Sequence, residues 1–203
     1  MSESINIHLY PSNFLHESRI EKIVEVIESL SIFNSIWLLG VYEPGLERKK
    51  CLSEHITLYR LGSATMRRSL FLKLIAFFHY YFRIILLLRG KNISCINAHS
   101  LSVLPLAVAL KYWKKSTLIY DTHELETETH SLKGFRQSFA KLVEKSLIFQ
   151  PDQIFCVSEE ISIWYATRYK REKPKTILNS AQLEPSVKST FLRDQFQLRL
   201  DQK

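Results

Sequence analysis

Short apolar runs of strand length alternate with stretches of helical periodicity along the chain. Ile5–Tyr10 (INIHLY) reads as a first strand. Ser18–Leu30 follows as an amphipathic helix, with Ile20, Ile23, Val24, Ile27 and Leu30 recurring on one face. Ser35–Val41 and Ile56–Leu61 read as the second and third strands. A long helix is expected from about Ser69 to Arg89, stopped by Gly90. Ile93–Ala98, Thr117–Asp121, Gln153–Val157 and a short Thr176–Leu178 continue the strands. Helices Leu101–Lys111, Lys133–Phe149 and Ser158–Tyr169 lie between them, with Ser158 placed to cap the last. Strands apolar on both faces, separated by helices, imply a parallel sheet covered on each side. The expected fold is α/β, a doubly wound, Rossmann-like, mostly parallel sheet with helices on both faces. One domain should fill residues 1–185. Residues 186–203 form a polar tail or the start of an interdomain segment.

Composition narrows this only a little. A chain of 203 residues with 46% hydrophobic content suffices for one sizeable core. The net charge of +8 comes from scattered pairs such as Arg67-Arg68 and Lys114-Lys115, with no long basic run. That suits a broad basic face or ordinary solvated surface, and speaks against nucleic acid as a partner. Cys51, Cys95 and Cys156 are far apart and form no CxxC, which suits a reducing compartment. The opening MSESINIHLYPSN shows no secretory pattern, so a cytoplasmic location is expected.

Candidate chemistry gathers where such a sheet binds ligands, beyond the carboxyl ends of its strands. Asn13 and Arg19 follow the first strand, His99 follows Ile93–Ala98, and His123 and Glu124 follow Thr117–Asp121. Ser158 and Asn179 follow the last two strands. A polyhydroxylated ligand would need such a rim, although turns into helices favour Ser, Asp and Asn as caps in any case. In Asp121–Glu124 (DTHE) a histidine beside carboxylates offers an acid, a base or a hydrogen-bond donor.

Three other chemistries fit less well. HELETETH carries His123, Glu124, Glu128 and His130, but the metalloprotease helix motif needs histidines four apart, so no metal is expected. The loop YPSNFLHES has no glycine to let a backbone approach a pyrophosphate, which disfavours NAD. No GxxxxGK[ST] loop is present to cradle the phosphates of ATP.

Leu70–Leu88 (LFLKLIAFFHYYFRIILLL) has about 19 residues, close to the length that spans a bilayer. Lys73, His79 and Arg83 fall on one narrow polar face, so a span would sink two cations in hydrocarbon. An amphipathic helix with a wide apolar arc fits better. Part of the arc packs on the sheet, and the rest is free to lie in an anionic lipid interface.

Taken in order, NAHSLSVLPLAVALK, LIYDTHELETE, VEKSLIFQPDQIFCVSEEISIWYATRY and KPKTILNS resemble the N-terminal domain of family 4 glycosyltransferases. HESRIEKIVEVIESL resembles the segment after the first strand in a bacterial branch of that family. The resemblance implies a retaining, hexosyl-type transferase of two Rossmann-like domains (GT-B). It implies a nucleotide-activated sugar as co-substrate, no other cofactor and no metal. This half would hold a glycan or lipid-linked acceptor at the cytoplasmic membrane face, in cell-surface polysaccharide synthesis. By position His123 and Glu124 take the catalytic places. Asn13, Arg19, His99, Ser158 and Asn179 take the substrate-binding ones.

The family's basic pair and glutamates for the sugar nucleotide belong to a C-terminal domain, which is not seen in these 203 residues. This chain alone is therefore expected to be inactive, truncated before that domain or completed by a separate donor subunit. Two alternatives stay open. One is a non-catalytic, membrane-associated module that binds a glycan or a partner. The other is a small α/β enzyme using His123 as a base.

Overall fold

The computed structural model describes residues 4–62, 70–129 and 132–179. Its strands are β1 (Ile5–Leu9), β2 (Ser35–Val41), β3 (Lys49–Cys51), β4 (Ile56–Leu61), β5 (Ile93–Ala98), β6 (Thr117–Thr122), β7 (Gln153–Cys156) and β8 (Lys175–Thr176). Its helices are α1 (Ser18–Ser29), α2 (Leu70–Leu88), α3 (Leu104–Lys114), α4 (Phe135–Leu147) and α5 (Glu159–Tyr169). The strand order is β3-β4-β2-β1-β5-β6-β7-β8. Every pairing is parallel except β3 with β4. The expected doubly wound α/β sheet is therefore what forms. The tail 186–203 and the expected boundary near residue 185 lie outside the described residues.

The two faces carry separate cores because strand side chains alternate. Ile5, Ile7 and Leu9 of β1 pack with Leu118 and Tyr120 of β6 on one face. There they meet Tyr80, Ile84 and Leu88 of α2, together with α3, α4 and α5. Ile36 and Leu38 of β2 point the other way, onto Ile20 and Val24 of α1. Among the described residues, one helix thus covers one face and four cover the other.

Elements end where their residues dictate. Gly90, at φ 74°, follows α2, and Lys115 closes α3 in the left-handed conformation at φ 56°. Pro105 sits in the first turn of α3, where its missing N–H leaves no bond unmade. Ser158 caps α5 as expected, accepting the Ile161 N–H at 3.3 Å. Strand β3 has no counterpart in the sequence reading. Lys49-Lys50-Cys51 is polar, exposed and three residues long, and it is held as an edge strand by β4 alone.

Candidate functional site

Strand β1 lies between β2 and β5, and the chain leaves it in one direction and returns on its other side. This is the topological switch point of the sheet, where a crevice opens beyond the strand ends. The loop after β1 is pressed into that crevice. A Cβ on Gly40 of β2 would lie 2.6 Å from both the Phe14 ring and the Ser12 carbonyl, so only glycine lets the loop lie so close. Ser12 accepts the Val41 N–H at 2.7 Å, and Arg60 Nε donates to the Asn13 carbonyl at 2.7 Å. Asn13 then turns its amide to Glu43 Oε2 (2.8 Å) and accepts the Leu15 N–H at 3.1 Å.

Beneath the rim runs a buried polar chain across β1, β5 and β6. Arg19 of α1 is 7% exposed and Asp121 of β6 is 2% exposed. Arg19 donates Nη2 to Asp121 Oδ1 at 2.6 Å and Nε to Oδ2 at 3.1 Å, while its Nη1 reaches the Ile177 carbonyl at 2.9 Å. His99 Nδ1 lies 3.1 Å from Asp121 Oδ2, and its Nε2 lies 2.9 Å from His8 Nδ1. The His8 and His99 rings stack with centroids 5.2 Å apart. Asn97 Nδ2 donates to Asn6 Oδ1 at 2.7 Å and lies 3.4 Å from His8 Nε2.

These contacts allow one consistent placement of protons. Asp121 only accepts, so His99 carries its proton on Nδ1 and offers Nε2 as an acceptor. His8 therefore donates from Nδ1, and its Nε2 accepts from Asn97. Both imidazoles are neutral. Burial lowers the His99 pKa against the pull of Asp121, and it lowers the His8 pKa further, helped by His99. Burial alone would push the Asp121 pKa up. Hydrogen bonds from His99 and Arg19, together with the nearby His123 ring, outweigh burial and hold it far below the usual carboxylate range.

His123 stands at the mouth of this chain. Its Nε2 lies 3.3 Å from Asp121 Oδ2, out of line for a good hydrogen bond, and is the buried end of a side chain 22% exposed. Tyr10 lies beside it, with ring centroids 5.5 Å apart. Glu124 is exposed next to it. Behind the loop that follows, Glu144 of α4 is fully buried and accepts from Tyr165 (2.8 Å), Tyr169 (2.5 Å) and Thr127 (3.4 Å). Burial raises the Glu144 pKa, and it raises that of half-buried Glu126 to about 7.

The sequence candidates therefore divide. His99 and His123 meet at one carboxylate, and Glu124 and Asn13 lie on the rim. Arg19 is turned inward, fully engaged by Asp121 and Ile177. Ser158 is occupied as a helix cap, and Asn179 is exposed beyond β8. Asp121 and His8 were not among the candidates. The signal available for both was a titratable residue at an inward position of an otherwise apolar strand.

Among the described residues, His99, Asp121 and His123 form a group whose ligand atoms lie within 4.8 Å of one another. The chemistry of this set suits a cation poorly, because Arg19 already holds both oxygens of the carboxylate and His99 donates to one of them. In the HELETETH segment, Glu128 pairs with Lys141 at 2.9 Å, and His130 lies outside the described residues.

Solved structures share this fold. A sucrose-phosphate synthase from Thermosynechococcus elongatus superposes with a TM-score of 0.74 at 14% identity, covering 98% of this chain and 53% of that one. A second sucrose-phosphate synthase structure from the same organism gives 0.64 at 12% identity, covering 90% and 91%. At these identities the likeness shows the fold, a glycosyltransferase-like Rossmann domain of the GT-B kind. The chain spans about half the length of the first of these structures. No protein-family profile and no curated protein matches the sequence.

Proposed function

We propose that this chain is the acceptor-side half of a family 4 glycosyltransferase, taking part in hexosyl transfer with retention from a nucleotide-activated sugar. The observation that carries the reading is the switch-point site. His123 stands half-open at the rim of a GT-B-like domain over a carboxylate already neutralised from beneath by Arg19. In this reading His123 and Glu124 face the reacting sugar and Asn13 borders the acceptor. Asp121, His99 and Arg19 hold the floor. The acceptor is a glycan or lipid-linked sugar. The chemistry uses no metal and no cofactor besides the sugar nucleotide, whose diphosphate is held by a second domain or subunit.

The test is nucleoside diphosphate release from a panel of sugar nucleotides, with membrane lipid extract as the acceptor source. The 203-residue chain is assayed alone and with a donor domain encoded in frame or by a neighbouring gene. Turnover only with the donor domain, abolished by His123→Ala, is the expected result. Turnover by this chain alone would overturn the half-site reading, and no turnover in either case would overturn the assignment.

A second reading, a peripheral membrane module at the cytoplasmic face, is favoured by α2. Phe71 (70% exposed), Phe78 (64%) and Phe82 (57%) face outward, while Tyr80 donates to the Leu39 carbonyl at 2.6 Å and ties the helix to the sheet. By length and composition α2 is enough to cross a bilayer, yet Tyr80, Ile84 and Leu88 belong to the core and a span would strip them from it. Both readings hold together if the acceptor is carried on a lipid.

A further inference from the structure

The four helices on one side of the sheet leave a second apolar ridge besides α2. On α4, Phe135 is 85% exposed, Phe139 58% and Leu142 61%. They stand at positions i, i+4 and i+7, so they form one stripe. The buried side of the same helix is set by Ala140, Val143, Glu144 and Leu147. The outward stripe is therefore a surplus that the fold does not use.

Strand order places α3 between α2 and α4, because α2 leads into β5, α3 joins β5 to β6 and α4 joins β6 to β7. At packing distances of about 10 Å between neighbouring helices, the two ridges stand about 20 Å apart. Each helix runs antiparallel to the strand after it. The N-terminal turns of α2 and α4, which carry Phe71, Phe135 and Phe139, thus lie at the carboxyl edge of the sheet, the edge of the candidate site.

Charge says what such a surface meets. The only acidic residue in α2, α3 and α4 together is Glu144, which is fully buried. The same three helices carry Lys73, Arg83, Lys111, Lys114, Arg136, Lys141 and Lys145, of which Lys111 pairs with Asp152 and Lys141 with Glu128. On the opposite face α1 carries Glu21, Glu25 and Glu28. Basic residues therefore predominate on the three helices that bear or separate the aromatic ridges, while α5, beyond α4 in the same layer, adds Glu159 and Glu160. Outward aromatics beside unopposed cations fit an anionic bilayer surface.

We propose that α4 is a second membrane foot. With α2, it lays this helical layer flat on an anionic bilayer through Phe135, Phe139 and Leu142, with the site rim at the membrane plane. The inference rests on the membrane reading of α2 and names the partner of a separate helix. Its test is flotation of the full 203-residue chain with phosphatidylglycerol-containing vesicles, against pure phosphatidylcholine vesicles. Wild type is compared with Phe135→Ser/Phe139→Ser and with Phe78→Ser/Phe82→Ser, all checked for unchanged thermal unfolding.

The α4 variant is expected to lose partitioning about tenfold or more, since two interfacial aromatics are removed. Phe139→Trp should keep binding and shift its fluorescence to the blue on anionic vesicles. Wild-type binding that the α4 variant retains in full overturns the second foot and leaves the α2 reading intact. No binding by wild type overturns both. Self-association relieved by the α4 substitutions, with vesicle binding unchanged, assigns the stripe to a second copy of the chain and overturns the proposal.

Discussion

Replacing Asp121 by Asn tests whether the buried charge chain holds the site together. Asp121 is 2% exposed and its two oxygens take Arg19 Nη2 at 2.6 Å, Arg19 Nε at 3.1 Å and His99 Nδ1 at 3.1 Å. Asn keeps the shape and offers one oxygen. Its amide N–H groups then face a guanidinium or an imidazole N–H, donor against donor. Arg19, 7% exposed, is left without a counter-charge. Breaking a buried pair this way costs about 3–5 kcal/mol. In a domain of this size that is a fall in Tm of about 6–20 °C.

The assay is denaturant and thermal unfolding of wild type, Asp121→Asn, Arg19→Met and the double variant. The double variant removes both charges, so its loss should be smaller than the sum of the single losses by about 2 kcal/mol or more. A loss below about 1 kcal/mol in Asp121→Asn, or strict additivity, would refute the reasoning. Arg19 would then be a surface cation that happens to lie inward, free for a substrate.

Stability should also fall on acidification from about pH 6.5, the ordinary histidine value. His8 and His99 are buried neutral with lowered pKa values, so the unfolded chain binds more protons and the folded state loses ground as pH drops. With both titrating, the slope approaches about 2.7 kcal/mol per pH unit. Asp121, held low, adds a further loss below about pH 3.9. Unfolding midpoints at graded pH would check this, and a flat profile between pH 7 and 5 would contradict it. Glu144→Gln keeps an acceptor for Tyr165 without the charge. Because the Glu144 pKa is raised on folding, the variant should gain on wild type as pH rises above about 4.3, which paired unfolding curves would read. Gly40→Ala drives a methyl against Phe14 and the Ser12 carbonyl. It should cost about 1–3 kcal/mol and shift the amide resonances of Asn13 and Leu15 in an NMR spectrum. Calorimetric titration with zinc at neutral pH should show no stoichiometric binding at His99, Asp121 and His123, since Arg19 occupies the carboxylate; a one-to-one isotherm abolished by His123→Ala would reverse this.

Much of the architecture was legible along the chain. Alternating apolar runs and helical periods are local properties, and among the described residues they located seven of the eight strands and all five helices to within a few residues. The exception, β3, has no apolar pattern because an exposed edge strand needs none. Helix ends came from local chemistry too, such as the cap at Ser158 and the stop at Gly90. The switch-point rim followed from strand order, and it brought His99 and His123 to one place.

What each polar side chain does there was decided only in three dimensions. Arg19 and Asp121 are 102 positions apart, and His8 and His99 are 91 apart. No local pattern tells whether an arginine at the start of an amphipathic helix points to a ligand or into the core. That depends on the packing that brings Arg19 of α1 to Asp121 of β6 and on the register that sets Asn97 beside His8. Packing also settled α2. Its wide apolar arc was visible in the residues, but only the sheet beneath it selected Tyr80, Ile84 and Leu88 for burial and left the phenylalanines outside. Sequence periodicity determines which residues share a face. The partner that each face meets depends on contacts between elements far apart in the chain, which tertiary packing alone creates.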